Sequence, residues 1–295
     1  MNLDSIRHSA IRGAARWAPM GLYSSVVYWG ARTALPRPLR RPLWTAFARA
    51  VGADLGETER DLAEYPSLGE FFARRLRDGA RPLAVGPGAI LSPSDGVVAA
   101  VGPISDGILV EAKGHRYQVG ALLADPSRAA AYDGGWYATI YLSPANYHRV
   151  HTPVSGRVVR YDYVPGAQLP VSPRFADAID DLLAINERAV IWLDVPASQT
   201  PVAVVMVGAV AVGNIWLSHL PNPEGGLGDD TRQFRAAGEA RRIEIPPVDL
   251  AVGDELGAFL LGSTVVMLMP PGTGLLTVTA GEVVRQGQRL GGVGA

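Results

Sequence analysis

Val202-Ala203-Val204-Val205-Met206-Val207-Gly208-Ala209-Val210 and Thr264-Val265-Val266-Met267-Leu268-Met269 are unbroken apolar runs rich in β-branched residues. The first follows Pro201 and the second lies between Ser263 and Pro270, so both are too short for buried helices and fit core strands. Working outward from them, the same signal recurs at 96–101, 108–111, 137–142, 157–163, 189–193 and 275–278, punctuated by Gly, Pro, Asp and Asn. This spacing predicts a mostly antiparallel β body, sandwich- or barrel-like.

Helical signals precede that body. Pro42 can start a short helix through Leu43, Trp44, Phe47 and Val51, and Ser67-Leu68-Gly69-Glu70 reads as a capping box opening a helix over 71–76. Further upstream, Ile6, Ala10, Ile11, Ala14 and Trp17 share one helical face, with Arg7, Arg12 and Arg16 beside it. The apolar stretch 19–29 is short and flanked by Arg16 and Arg32, so it is expected to lie on a membrane rather than cross it. The first fifty residues hold eight Arg and one acid, a balance of +7 in a chain whose total is −1. A basic front end on an acidic body suits an anionic lipid surface. The expected class is α+β, with a basic amphipathic helical membrane-docking region over 1–64 and a β-rich domain over 65–295.

At 295 residues, 48% hydrophobic and 19% charged, the chain has material for a real core, and disorder is excluded as the default. Zero Cys excludes a disulfide scaffold, a thiolate metal site and a cysteine nucleophile. Of the 27 basic residues only Lys113 is lysine, set in a polar run with no phosphate cradle, which leaves pyridoxal phosphate without a plausible anchor. Two internal echoes stand out. Pro93-Ser94-Asp95-Gly96-Val97-Val98 resembles Pro153-Val154-Ser155-Gly156-Arg157-Val158, and Val252-Gly253-Asp254-Glu255-Leu256-Gly257 resembles Arg285-Gln286-Gly287-Gln288-Arg289-Leu290-Gly291. Neither carries the lysine that a swinging-arm carrier domain would need.

Three strings could carry chemistry. Tyr141 to His151 includes His148 and His151, and Ser143 with Pro144 can start a helical turn placing both on one face, for acid-base work or a metal. No third metal ligand follows from spacing, and no metal is expected. Ser92-Pro93-Ser94-Asp95-Gly96 is by itself an ordinary Asp-Gly turn. Leu261-Gly262-Ser263-Thr264 is by itself a small step in a buried strand, or an unhindered carbonyl beside a hydroxyl nucleophile.

Together these strings resemble phosphatidylserine decarboxylases of the bacterial, membrane-associated kind. Phe71-Phe72-Ala73-Arg74, Ala80-Arg81-Pro82, Tyr163-Val164-Pro165-Gly166, Asn186-Glu187-Arg188 and Val207-Gly208-Ala209 extend the resemblance over about 67–287. It implies autocatalytic cleavage between Gly262 and Ser263 into a β chain 1–262 and an α chain 263–295, with Ser263 becoming a pyruvoyl group. Asp95 and His151 would match the pair that activates the serine, and His148 the histidine of the decarboxylation step. A carbonyl made from the chain removes the need for a lysine-held cofactor, because it can delocalise the carbanion left by CO₂.

The implied partners are phosphatidylserine in an anionic membrane and the two cleaved chains held as a heterodimer, itself able to dimerise, with no nucleic acid. The implied location is peripheral, on the cytoplasmic side of the cell membrane. Arg149 is a candidate ligand for the lipid phosphate or carboxylate. Asn146 stands where the family commonly has an acid, and Ser94 where Ala is frequent. Two other readings use the same residues: a serine hydrolase with Asp95, His151 and Ser263, although no Gly-x-Ser-x-Gly elbow is present, and a non-catalytic membrane-binding β protein.

Overall fold

A computed structural model of the chain describes residues 29–110, 116–172, 175, 178–209, 215–220, 234 and 238–293. The amphipathic face from Ile6 to Trp17, the run around Lys113 and most of 218–240 lie outside them. In chain order the described strands are β1 (Ala89–Leu91), β2 (Gly96–Pro103), β3 (Ile108–Val110), β4 (Arg116–Gln118), β5 (Trp136–Leu142), β6 (Arg149–His151), β7 (Gly156–Val164), β8 (Arg188–Asp194), β9 (Val202–Val207), β10 (Ile215–Leu217), β11 (Arg241–Leu250), β12 (Glu255–Phe259), β13 (Ser263–Met269), β14 (Leu275–Leu276), β15 (Val283–Val284) and β16 (Arg289–Gly292).

Eight of them build one antiparallel sheet, ordered β11-β7-β8-β9-β13-β5-β2-β15. The sets β10-β12-β6 and β1-β16-β14 form two smaller antiparallel sheets. The α+β class with a mainly antiparallel β body holds. Every residue of β9 and β13 is buried, as is all of β8 except Asp194, so the middle strands read as continuous apolar runs rather than alternating ones. Trp192, Tyr161 and Phe259 are among the largest fully buried side chains. Strand β11 lies at the sheet edge, mostly exposed, and its Pro246 and Pro247 fall at a break in register with β7, where missing N–H groups do least harm.

Helix α1 (Arg37–Val51) begins one turn earlier than Pro42 suggests, because Pro38 occupies the first turn and Pro42 is accommodated inside. It ends at Gly52 in a left-handed conformation, φ +80°. Trp44 of α1 stacks on Phe71 at 5.6 Å and donates to the Tyr65 carbonyl at 3.0 Å, which fixes the helix against the 65–71 segment. Ser67 does cap the next helix, accepting from Glu70 N–H at 3.3 Å, but α2 spans Leu68–Phe72 and not 71–76. The chain leaves the helix early because the backbone of Arg75 and Arg77 pairs with Glu59 and Glu57 instead. Among the described residues no helix is long and apolar enough to cross a membrane.

The two sequence echoes are related in space. Leu91 N–H donates to Pro153 O and His151 N–H to Pro93 O, both at 2.8 Å, a reciprocal exchange between matching positions of the first echo. Ser92 pairs with Gly287 and Gln288 as Thr152 pairs with Gly253 and Asp254. Gly253 and Gly287 have φ of +87° and +82°, and a Cβ on either would strike the Leu83 side chain, which sits between the two turns. The halves thus meet about a local two-fold relation with Leu83 near its axis.

Candidate active site

The register of the large sheet decides where the three strings meet. Ser263 pairs with Leu142, Val97 with Tyr141, Thr264 with Val207, and Arg188 with both Val207 and Val164. The starts of β2, β8 and β13 and the ends of β5, β7 and β9 therefore share one end of the sheet. Asp95-Gly96, Ser263-Thr264, the turn leading to His148, Tyr163-Val164-Pro165-Gly166 and Asn186-Glu187-Arg188 all gather there. Gly96 is required by this crowding, since a Cβ would collide with the Tyr141 carbonyl oxygen.

Only three residues connect β12 to β13, so Gly262–Ser263 lies at the joint between the second sheet and the large one. His148, the residue before β6, enters the same joint, its carbonyl accepting from Phe259 N–H at 2.9 Å. Gly262 has no positive φ, and a Cβ there would meet only the Leu142 carbonyl oxygen at 3.9 Å. Its lack of a side chain serves no packing need and leaves its carbonyl carbon unobstructed.

Buried polar atoms without partners are rare in folded proteins. Here Ser94 Oγ, His148 Nε2, Ser263 Oγ and Thr264 Oγ1 are all buried and unpartnered, and all belong to the three strings. His148 and Ser263 are both 0% exposed. His148 packs against Phe72 with the rings tilted and their centroids 4.3 Å apart, and burial pushes its pKa down to about 3, so the ring is neutral near pH 7. Its Nδ1 lies 2.8 Å from the Asn146 carbonyl and must donate to it, which leaves Nε2 as a bare lone pair.

His151 is placed differently. In extended chain a spacing of three sends side chains to opposite faces, so the two histidines do not share a helical face as the Ser143-Pro144 signal suggested. The 143–146 segment forms a turn held by Asn146 Oδ1, which accepts from Ser143 N–H at 2.7 Å and its hydroxyl at 2.8 Å. An amide oxygen fills that acceptor role as an acid would. His151 Nδ1 donates to Gly253 O at 2.8 Å, and its Nε2 accepts from the Tyr147 hydroxyl at 3.2 Å. Burial lowers the His151 pKa and raises that of Tyr147.

Asp95 accepts from Arg81 Nε at 2.8 Å, Arg81 Nη2 at 2.7 Å and Gln286 N–H at 2.9 Å. Among the described residues, no hydrogen bond joins Asp95, His151 and Ser263 to one another. Asp95 instead lies within electrostatic reach of His148. Arg149 is buried, its Nη1 donating to both carboxylate oxygens of Glu255 at 2.7 and 2.9 Å and its Nε to Ala73 O at 2.9 Å, with the guanidinium over the Trp216 ring. No group of three or more His, Asp or Glu among the described residues could hold a metal.

Sequence reading missed Arg81, whose carboxylate partners come from distant segments, although it stands in Ala80-Arg81-Pro82. It also missed the support role of Glu187, which accepts from Tyr163 at 3.1 Å, and of Asn186, which donates to Gly208 O at 3.0 Å.

Comparison with known proteins identifies the family. The sequence profile of the phosphatidylserine decarboxylase family matches residues 68–292. The phosphatidylserine decarboxylase proenzyme of Anaeromyxobacter sp. (strain K) is 42% identical over 281 residues, covering 95% of this chain and 96% of that one. The proenzyme of the same name from Myxococcus xanthus is 37% identical over 276 residues, 92% and 94% of the two chains. That from Ectopseudomonas mendocina is 40% identical over 260 residues, 86% and 87% of the two. The chain belongs to the phosphatidylserine decarboxylase family.

Proposed function

We propose that this chain is a self-processing enzyme that cleaves itself between Gly262 and Ser263 and then converts phosphatidylserine to phosphatidylethanolamine and CO₂. The observation that carries the reading is the Ser263 hydroxyl, fully buried and unpartnered, next to a carbonyl whose own residue has no side chain. Leaving such a hydroxyl unsatisfied costs about 1–3 kcal/mol, so the site is built for reactivity at the expense of stability.

In the first step the Ser263 oxygen attacks the Gly262 carbonyl carbon while a base takes the hydroxyl proton, shifting the acyl group from nitrogen to oxygen. Elimination from the resulting ester frees the β chain 1–262 with the serine oxygen in its new carboxylate, and water then adds at Cα of residue 263 and displaces the nitrogen as ammonia, leaving the α chain 263–295 with a pyruvoyl end. The site fits that group, since the buried Ser263 position and the open Gly262 carbonyl need no added ligand. A ketone there supplies the electron sink for the carbanion left by CO₂.

Asp95 and His151 are proposed to activate Ser263, and His148 to serve decarboxylation. His151 has first to exchange Tyr147 for the serine, because its Nε2 is occupied. His148 can accept or hand over a proton at Nε2, with Phe72 against its ring keeping water away. The basic segment 1–64 docks the protein peripherally on the anionic cytoplasmic leaflet, the cleaved chains staying together as a heterodimer. Intact mass decides the matter: two fragments are expected, the smaller lighter by one ammonia than its encoded sequence, with CO₂ released from phosphatidylserine liposomes. One intact polypeptide with a serine at 263 overturns the reading.

A further inference from the structure

A cavity of about 280 Å³ lies beside this site, lined by Arg60, Tyr65, Glu70, Arg74, Arg75 and Arg149. Most of its charges are already answered. Arg149 is paired with Glu255 at 2.7 Å, the exposed Arg75 shares that carboxylate at 3.4 Å with solvent at hand, and Arg60 sits at the exposed rim 4.0 Å from Glu59. Glu70 is half-buried and burial raises its pKa, which weakens it as a counter-charge.

Arg74 is the exception. It is 3% exposed, has no carboxylate within 4 Å among the described residues, feels Asp95 and Glu57 only from farther away, and makes one long hydrogen bond to Ala145 O at 3.5 Å. Its Nε is buried with nothing to donate to. The guanidinium rests over the Phe71 ring at 5.2 Å, an attraction that does not satisfy its N–H donors. Burying a cation this way is costly unless an anion completes it. A second free donor points to the same ligand: the Tyr65 hydroxyl, also lining the cavity, is buried, and because the Arg60 backbone N–H beside its oxygen can only donate, the Tyr65 O–H has no acceptor.

The cavity adjoins the chemistry. Ala73, in its wall, packs on Ala258 and Leu260, two residues before Gly262. Arg74 reaches the turn carrying His148, and its neighbour Phe72 touches the His148 ring. On the outer side Tyr65 is tied to α1, whose Leu39 and Leu43, one turn apart, are 49% and 45% exposed.

We infer that Arg74 and Tyr65 form the anion site that takes the phosphodiester of the lipid substrate, holding the serine headgroup one methylene away at the sheet end. This rests on the decarboxylase reading for the identity of the lipid. Arg149, already neutralised by Glu255, shapes the wall and adds no unmet charge.

The test begins with the full chain carrying Ser263→Ala, which keeps the cavity and cannot form the ketone. Inorganic phosphate, well above its binding concentration, is expected to raise its Tm by about 2–4 °C. Adding Arg74→Lys or Tyr65→Phe should remove most of that rise. Tyr65→Phe deletes only a hydroxyl whose proton has no acceptor and keeps the ring against Phe71, and an unfolding midpoint without phosphate equal to the parent's separates its effect from misfolding. In the cleaving chain, the same two substitutions should raise KM for dispersed short-chain phosphatidylserine about tenfold with kcat changed less than about twofold. No phosphate-dependent rise, or one that survives both substitutions, overturns the site. A rise that needs both residues with KM unchanged leaves a site for free phosphate and overturns the lipid assignment. If the rise behaves as expected but cleaved protein releases no CO₂, the decarboxylase reading falls and the lipid assignment falls with it, while the anion site stands.

Discussion

Asp95 and Arg81 meet carboxylate to guanidinium at 2.8 and 2.7 Å, with Arg81 also bridging to Glu57 at 2.8 Å. Removing the cation leaves the buried Asp95 without its counter-charge and Glu57 with only the exposed Arg285 at 3.4 Å. Arg81→Ala should therefore destabilise the fold by about 3–5 kcal/mol. Asp95→Asn keeps an acceptor for Gln286 N–H, so it should lose far less stability while slowing self-cleavage strongly. Urea unfolding beside a time course of fragment masses checks both, and equal stability losses would reduce Asp95 to a scaffold residue.

Gly262→Ala separates backbone need from chemistry. With no positive φ and no close contact to obstruct a methyl group, the variant should fold within about 1 kcal/mol of the parent. Its cleavage should nonetheless slow about tenfold or more, because the added carbon crowds the attacked carbonyl. Cleavage at the parental rate would show that the open carbonyl is incidental.

Tyr147 occupies the His151 lone pair. If His151 is the base for Ser263, Tyr147→Phe should cleave at least as fast as the parent, since the competing hydroxyl is gone. His151→Ala should stay a single chain, and His148→Ala should cleave yet release CO₂ at least about a hundredfold more slowly. The reverse pattern would exchange the two roles, and the bare Nε2 of His148 makes that outcome chemically coherent.

Burial depresses both histidines, and the sign follows from proton uptake. Below pH about 6.5 the unfolded chain binds protons at these rings that the folded chain refuses. Stability should thus be full above that pH and fall as the pH drops from 6.5 toward 3, the folded value for His148. His148→Phe should flatten part of that slope in acid titrations followed by tryptophan fluorescence. An unchanged slope would mean that the ring is protonated in the native state.

The β body was legible because its middle strands are covered on both faces and spell unbroken apolar runs, as in 202–207 and 264–269. Strand β11 was not, since Arg241 to Leu250 is an exposed edge interrupted by two prolines. Strand β6 was misread as a helical turn because Ser143-Pro144 imitates a helix start, while Asn146 closes the turn first. The Ser263, His148 and Asp95 strings were visible through resemblance, and their convergence needed the sheet register. The unmet charge of Arg74 had no signal in sequence, because burial and lack of a partner are properties of the folded neighbourhood.

Val252 N–H donates to the Ser155 hydroxyl at 3.0 Å as Gln286 N–H donates to the Asp95 carboxylate at 2.9 Å, at matching places in the paired turns that close on Leu83. A repeated turn gives the protein a spare: one arm can keep a plain hydroxyl for anchorage while its twin carries a charged group to the end of the sheet where the candidate site lies. Division of labour between twins lets chemistry be altered in one without surrendering the scaffold that both maintain.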